Sequence, residues 1–189
     1  MRMFISVLIL IFSLQSWTNA DISEFEIEGI SIGDSLLNFL SEDEIKKKSS
    51  DTQYYKDNKY VYYFFPSLDF LTTYESLQVT VKPKDKKYKI EGVDGVIRYK
   101  DIKECNKKLA EIKNELENVF GIDGIFDEGE HPGYKNSTYI RYVFNLSDGR
   151  VDCVCFDMSK KFENQGKLDS LYISIVSKDF SQFITYENY

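Results

Sequence analysis

Asp101-Ile102-Lys103-Glu104-Cys105-Asn106-Lys107-Lys108-Leu109-Ala110-Glu111-Ile112-Lys113-Asn114-Glu115-Leu116-Glu117-Asn118-Val119-Phe120-Gly121 decides the architecture. Ile102, Cys105, Leu109, Ile112, Leu116 and Val119 recur at three and four, so they line one side of a helix. Asp101 and Glu104 form a cap pair at its start, and Gly121 stops it. A helix with a single apolar stripe must bury that stripe against something, and the flanking sequence supplies strands.

Upstream, Tyr60-Val61-Tyr62-Tyr63-Phe64-Phe65 is aromatic on both faces and ends at Pro66, which cannot donate a ladder bond. Leu77-Gln78-Val79-Thr80-Val81 alternates cleanly. Residues 88–93 and 96–99 flank Asp94-Gly95, which reads as a two-residue hairpin turn. Nearer the N-terminus, residues 23–30 alternate like a short strand. Asp34 reads as the N-cap of a short helix carrying Leu36, Leu37, Phe39 and Leu40. Ser41 and Glu44 form a capping box for a second helix through Lys48, which Ser49-Ser50-Asp51-Thr52 ends.

Downstream, residues 122–137 read as a loop rich in glycine and acids. Strands at 138–146 and 150–156 enclose Asp148-Gly149, and a last strand at 171–176 leads into a short helix. The expected class is α+β: short N-terminal helices and one long helix packed on an antiparallel meander sheet. Helix then meander occurs twice, which allows two αβββ-like halves. No Pro/Ser-rich linker separates them, so residues 21–189 read as one domain.

The first twenty residues carry one charge, Arg2, then an apolar run from Met3 to Phe12 and a more polar stretch ending in Asn19-Ala20. That order is a secretory signal with cleavage between Ala20 and Asp21. An apolar core of about ten residues is well short of the roughly 20 a spanning helix needs. No later segment is apolar for long enough, so stable membrane insertion is not expected. Asp and Glu number 31 against 24 Lys and Arg, a formal net charge of −7. Such a balance argues against a nucleic-acid partner, whose phosphates need a basic surface.

Three cysteines would meet an oxidising compartment if the leader directs export. With Asp148-Gly149 as a two-residue loop, Leu146 faces Val151, Phe144 faces Cys153 and Tyr142 faces Cys155. One sheet face then carries Ile140, Tyr142, Phe144, Leu146, Val151, Cys153 and Cys155. Cys105 lies on the stripe of the long helix, so a bond from Cys105 to Cys153 or Cys155 is expected. Cys153 and Cys155 lie about 6.7 Å apart on one strand with parallel side chains, at the edge of bridging geometry. The remaining thiol reads as a buried small apolar residue.

Gly29-Ile30-Ser31-Ile32-Gly33 matches the G-x-S-x-G nucleophile elbow, but the strands around it read as hairpins, without the alternation a parallel sheet needs. His131 is the single histidine. Asp123, Asp127, Glu128, Glu130 and His131 crowd one loop, with neither EF-hand nor H-E-x-x-H spacing, and read as a solvated acidic loop. No catalytic, cofactor-binding or metal residue is assigned. Tyr54, Tyr55, Tyr62 and Phe64 belong to a stretch denser in aromatics than a core strand needs and are the candidate recognition residues.

At Ile27-Glu28-Gly29-Ile30-Ser31-Ile32-Gly33-Asp34-Ser35-Leu36-Leu37 and at Ile102-Lys103-Glu104-Cys105 the chain resembles uncharacterised exported proteins of AT-rich marine alphaproteobacteria. That resemblance implies export and a shared domain. A glycine-led helix pair feeding a meander is similar to the fold of β-lactamase-inhibitor proteins and small outer-membrane assembly lipoproteins. Their lipid-bearing cysteine is missing here. Both likenesses imply a binding role for a periplasmic or secreted protein contacting a protein or envelope ligand. The competing expectation is a small secreted hydrolase with acidic catalytic residues not identifiable from sequence.

Overall fold

The computed structural model describes residues 21–186, so the leader and Ala20 lie outside the described residues. Asp21 is the first described residue, and its carboxylate accepts from the Ser23 N–H. A small hairpin follows, β1 (Glu26–Ile27) and β2 (Ile30–Ser31), turning through Glu28 and Gly29, both at positive φ. The expected cap at Asp34 is displaced by one residue. Ser35 caps the 3-10 turn Leu36–Asn38, while Asp34 reaches back to the Ser31 N–H. Helix α1 (Glu42–Lys48) starts with the expected reciprocal capping box of Ser41 and Glu44.

Strands β3 (Asp51–Tyr54), β4 (Val61–Phe65), β5 (Ser76–Val81) and β6 (Ile90–Tyr99) lead to helix α2 (Ile102–Phe120). Then come β7 (Ile125–Glu130), β8 (Thr138–Asn145), β9 (Gly149–Asp157), the short α3 (Lys160–Glu163), β10 (Asp169–Ser177) and α4 (Lys178–Tyr186). The eight long-range strands form one antiparallel sheet in the order β3-β4-β5-β6-β10-β9-β8-β7. Each half is therefore a helix followed by four strands, and the halves meet where β6 pairs with β10. The sequence expectation misses β3 and divides β6 in two in the first half, and in the second it reads β7 as part of a loop.

Asp94-Gly95 is not a turn. Strand β6 runs unbroken from Ile90 to Tyr99, with Val93 opposite Ile175 on one side and Val79 on the other. Gly95 is there for a different reason: a Cβ would run into the Tyr74 ring, which lies flat over that point of the sheet. The loop carrying Tyr74 is held by Glu28. Its carboxylate accepts from the N–H groups of Thr72 (3.0 Å), Thr73 (2.6 Å) and Tyr74 (2.9 Å) and from the Thr72 hydroxyl (2.9 Å). Burial pulls the Glu28 pKa up, but these hydrogen bonds outweigh it and hold the carboxyl below its ordinary value. Such a depressed group stabilises the fold above its unfolded pKa and loses that contribution as pH falls through the folded value. Glu28→Ala should cost about 2 kcal/mol at pH 7, and the difference from wild type should shrink in urea titrations at pH 3. A pH-independent loss would mean that packing, not the carboxylate, holds the loop.

The second hairpin keeps its faces but shifts its register. Phe144 opposes Val151 and Tyr142 opposes Cys153, two residues from the expected alignment, because the turn falls one residue earlier, at Ser147-Asp148, closed by the Leu146 N–H donating to the Gly149 carbonyl at 2.9 Å. A shift of two preserves side-chain parity. The predicted core face is therefore intact, and α2 packs on it through Cys105, Leu109, Ile112 and Leu116. Helix α2 runs opposite to β9: Phe120 at its end meets Phe144, so Cys105 in its first turn meets the later cysteine. Cys105 and Cys155 form the disulfide, with Cα atoms 6.1 Å apart. Cys153 is free and buried, and burial pushes its thiol well above the ordinary range.

Helix α4 lies on the other side of the sheet. Phe180 and Phe183 bury themselves with Tyr60 and Val176, and Phe180 sits over Gly92, 3.0 Å from where a Cβ would be. Among the described residues no other helix of comparable size covers the rest of that side. No described helix is long and apolar enough to cross a membrane.

Candidate functional site

Strand parity dictates what the open side of the sheet displays. One row reads across it from β4 to β7: Phe64, Gln78, Asp94, Ser174, Asp152, Val143 and Ile125. Asp94 sits near the middle of the row, flanked by Gln78 on β5 and Ser174 on β10. Gln78 donates to its Oδ2 at 3.0 Å, and the Ser174 side chain also hydrogen-bonds it. The adjacent rows place Tyr172 beside it on β10 and Tyr62 two strands away on β4.

Two features raise walls around this floor. On one side Tyr55 stands edge-on between Tyr62 and the α4 rings of Phe180 and Phe183. On the other, the β7–β8 connection folds His131 onto Phe156 at 4.5 Å and onto Tyr134 at 4.7 Å, and Phe156 meets Tyr172 edge-on. Burial first, then Asp94, pushes the Tyr172 hydroxyl up, and Tyr134 and Tyr62 add to it while Arg98 opposes. Burial and Asp94 likewise raise Tyr55. The result is a trough with a carboxyl floor and aromatic sides.

Asp94 is half-buried and its carboxyl is pushed up to about 6. Burial is the main cause; Asp152 adds to it, while the hydrogen bonds from Ser174 and Gln78 oppose it. Asp152 is 8 % exposed and pairs through Oδ2 with Arg150 at 2.7 Å, but burial still raises its pKa against the pull of Arg150 and Arg141. Arg150 in turn donates to Thr185 of α4. A separate depression of about 850 Å³ lies between the β7–β8 edge and α4, lined by Ile125, Arg141, Val143, Arg150, Gln182 and Thr185.

Of the four aromatics expected for recognition, Tyr55, Tyr62 and Phe64 come together on this open side. Tyr54 does not: it is 61 % exposed on the edge strand and shares parity with Val61 on the helix side. Ser31 and His131 do not form a catalytic pair. Ser31 belongs to the small hairpin packed with the helix-side core, whereas His131 lies against Phe156 on the opposite face and accepts from the Gly133 N–H. The acidic residues of 123–131 are dispersed by β7. Asp127 is tied to Arg141 and Tyr139, and no group of three potential metal ligands gathers among the described residues.

Sequence reading missed Asp94, Gln78, Ser174, Asp152 and Tyr172 as a set. Asp94 had been assigned to a turn, which removed it from any face. The available signal was the run of β-branched residues at Ile90, Val93, Val96 and Ile97, which favours one long strand over two short ones.

Fold and trough define a disulfide-bonded α+β protein whose single large sheet is packed by a long helix on one face and only partly covered by α4 on the other. Comparison with protein-family models, curated proteins and solved structures gives no match.

Proposed function

We propose that this chain is an exported, periplasmic or secreted, binding or envelope accessory protein that works without catalysis and holds its ligand in the open-face trough. The observation that carries the reading is the trough itself: half-buried Tyr62, Phe64 and Tyr172 around a carboxyl floor, left uncovered on a sheet whose other face is fully packed. Aromatics that keep part of their surface in water give large contact area at small entropic cost, which suits recognition. The Cys105–Cys155 disulfide is compatible with an oxidising compartment, and the resemblances drawn from sequence favour the same role by analogy.

Photo-crosslinking tests it. With p-benzoylphenylalanine in place of Tyr62 or Tyr172, irradiation in envelope extract should yield a discrete adduct, and the same probe at Tyr54 should not. Equal labelling from all three positions would remove the trough from the account.

A second reading has one observation in its favour. Asp94 and Asp152 share a row, separated by Ser174, so their Cα atoms lie about 10 Å apart in a trough whose aromatic walls could stack a sugar ring. A pair of carboxyl groups flanking a sugar is the arrangement that glycoside hydrolysis uses. Turnover of a nitrophenyl glycoside panel, lost in Asp94→Asn, would replace the binding reading with this one.

A further inference from the structure

We propose that the trough receives an organic cation, a primary ammonium or guanidinium group, seated on Asp94 between the rings of Tyr62 and Tyr172. The inference rests on the binding role proposed above and names the chemistry of its ligand.

The groups that face Asp94 come from every element around it. Gln78 faces it from β5, Ser174 and Tyr172 from β10 and Tyr55 from the segment before β4, while Asp152 on β9 and Tyr62 on β4 each lie two strands away. None of them is a cation, and no ion pair to Asp94 occurs among the described residues. Nearby arginines are engaged elsewhere: Arg98 with Glu75 at 3.0 Å, Arg150 with Asp152, and Arg141 with Asp127. The neighbouring Asp152 has its counter-charge in Arg150 but leaves one oxygen unanswered. It is more than nine-tenths buried on the same side of the sheet, and its Oδ1 has no hydrogen-bond partner. A carboxylate withdrawn from water without a counter-charge is unfavourable unless something else brings that charge. Arg150 serves one of the two acids; nothing in the described chain serves the other.

The aromatic walls select the same chemistry. Ring faces are negative, and an ammonium or guanidinium within about 6 Å of a ring centre is attracted to it, more strongly where water is excluded. The chain already uses this contact, with Lys59 lying 5.3 Å from the Phe183 ring centre and Lys82 5.9 Å from that of Tyr60. Tyr62 and Tyr172 offer ring surface of the same kind near an acid, and the neighbouring Tyr134 ring already carries Lys167 at 5.7 Å from its centre. An anionic ligand would meet Asp94 and Asp152 together, and a neutral one would leave the charge of Asp94 unanswered.

Isotope-edited NMR and calorimetry at pH 7.5 decide the matter with Nα-acetyl-lysine methylamide, its Nε-acetylated form and spermidine as probes. The charged lysine derivative or spermidine should shift the ring resonances of Tyr62 and Tyr172 and bind at least tenfold tighter than the neutral acetylated form. Asp94→Asn should weaken that binding at least tenfold while its thermal melt remains cooperative. Binding should also fall as pH drops from 7.5 to 5. Tighter spermidine points to a free polyamine as the source of the cation, and tighter lysine derivative to a side chain of a protein partner. Equal shifts from charged and neutral probes, or full binding by Asp94→Asn, overturn the proposal. If that happens while photo-adducts still form at Tyr62, the binding role stands and only the cation is withdrawn.

Discussion

Cys105→Ala should unfold about 4 kcal/mol more easily than the oxidised wild type, because the bridge it removes spans 50 residues of sequence. In the chain-entropy account the bond acts on the unfolded ensemble, where it forbids a long loop from opening. For a chain of this length that corresponds to a fall in Tm of roughly 8–16 °C. Cys105 is the clean position to change. In Cys155→Ala, Cys105 could close on Cys153, which lies two residues earlier on the same face of β9. Reduced wild type should melt with Cys105→Ala, and Cys153→Ala should lose only the packing of a buried thiol. Thiol titration adds a second check: no thiol should react in the oxidised native protein and one should react in guanidinium. Should Cys105→Ala melt with oxidised wild type, the bridge contributes nothing to the native balance.

The bridge shows what could and could not be read from sequence. The apolar stripe of α2 and the alternation in β8 and β9 were strong local signals, and both survive in the structure with their ends nearly unchanged. Choosing between Cys153 and Cys155 needed the direction of α2 along β9, which is a tertiary fact. The register shift of the β8–β9 hairpin was invisible for a related reason. Asp148-Gly149 has the composition of a tight turn, but the turn falls at Ser147-Asp148, where Asp148 accepts from the Ile22 N–H, and Gly149 serves a close approach to the Val176 carbonyl.

The candidate site was less legible than the fold because its members are defined by the sheet. Phe64, Gln78, Asp94, Ser174 and Asp152 lie on five different strands and become a row only when β6 and β10 pair at the seam between the halves. Asp94-Gly95 was misread because glycine serves turns and close approaches equally well, and the approach of Tyr74 depends on a loop held by distant Glu28. Strand β7 escaped notice because Asp127, Glu128, Gly129 and Glu130 resemble a solvated loop. At the edge of a sheet such acids instead discourage pairing with another chain. The aromatic density around Tyr55, Tyr62 and Phe64 was the one feature of the site that sequence alone displayed.

Asp94→Asn should make the protein more stable at neutral pH, by about 2 kcal/mol, although it removes a side chain that accepts two hydrogen bonds. The folded protein raises this carboxyl from 3.8 to about 6, so the native state binds the proton more tightly than the unfolded chain does. Where the native state holds more protons, stability falls as pH rises, and the loss accumulates between about pH 4 and 6. At pH 7.5 both states are ionised and the full penalty is present, about 3 kcal/mol for a shift of this size. Asparagine keeps the shape and one acceptor but carries no charge, and its new N–H groups recover only part of the solvation they lose. Urea titrations should therefore show the gain at pH 7.5 and its disappearance by pH 3.5, where wild-type Asp94 is already neutral. An acid kept for the fold behaves in the opposite way, as Glu28 does, with removal destabilising most at neutral pH. The two carboxylates thus form an internal comparison: one is depressed by four donors and supports its loop, the other is raised on an open floor and weakens the fold at neutral pH. Retention of such a group at the expense of stability is the physical mark of a site shaped for something outside the chain. Equal or lower stability of Asp94→Asn at pH 7.5 would place Asp94 among the structural acids and leave the trough without its charged floor.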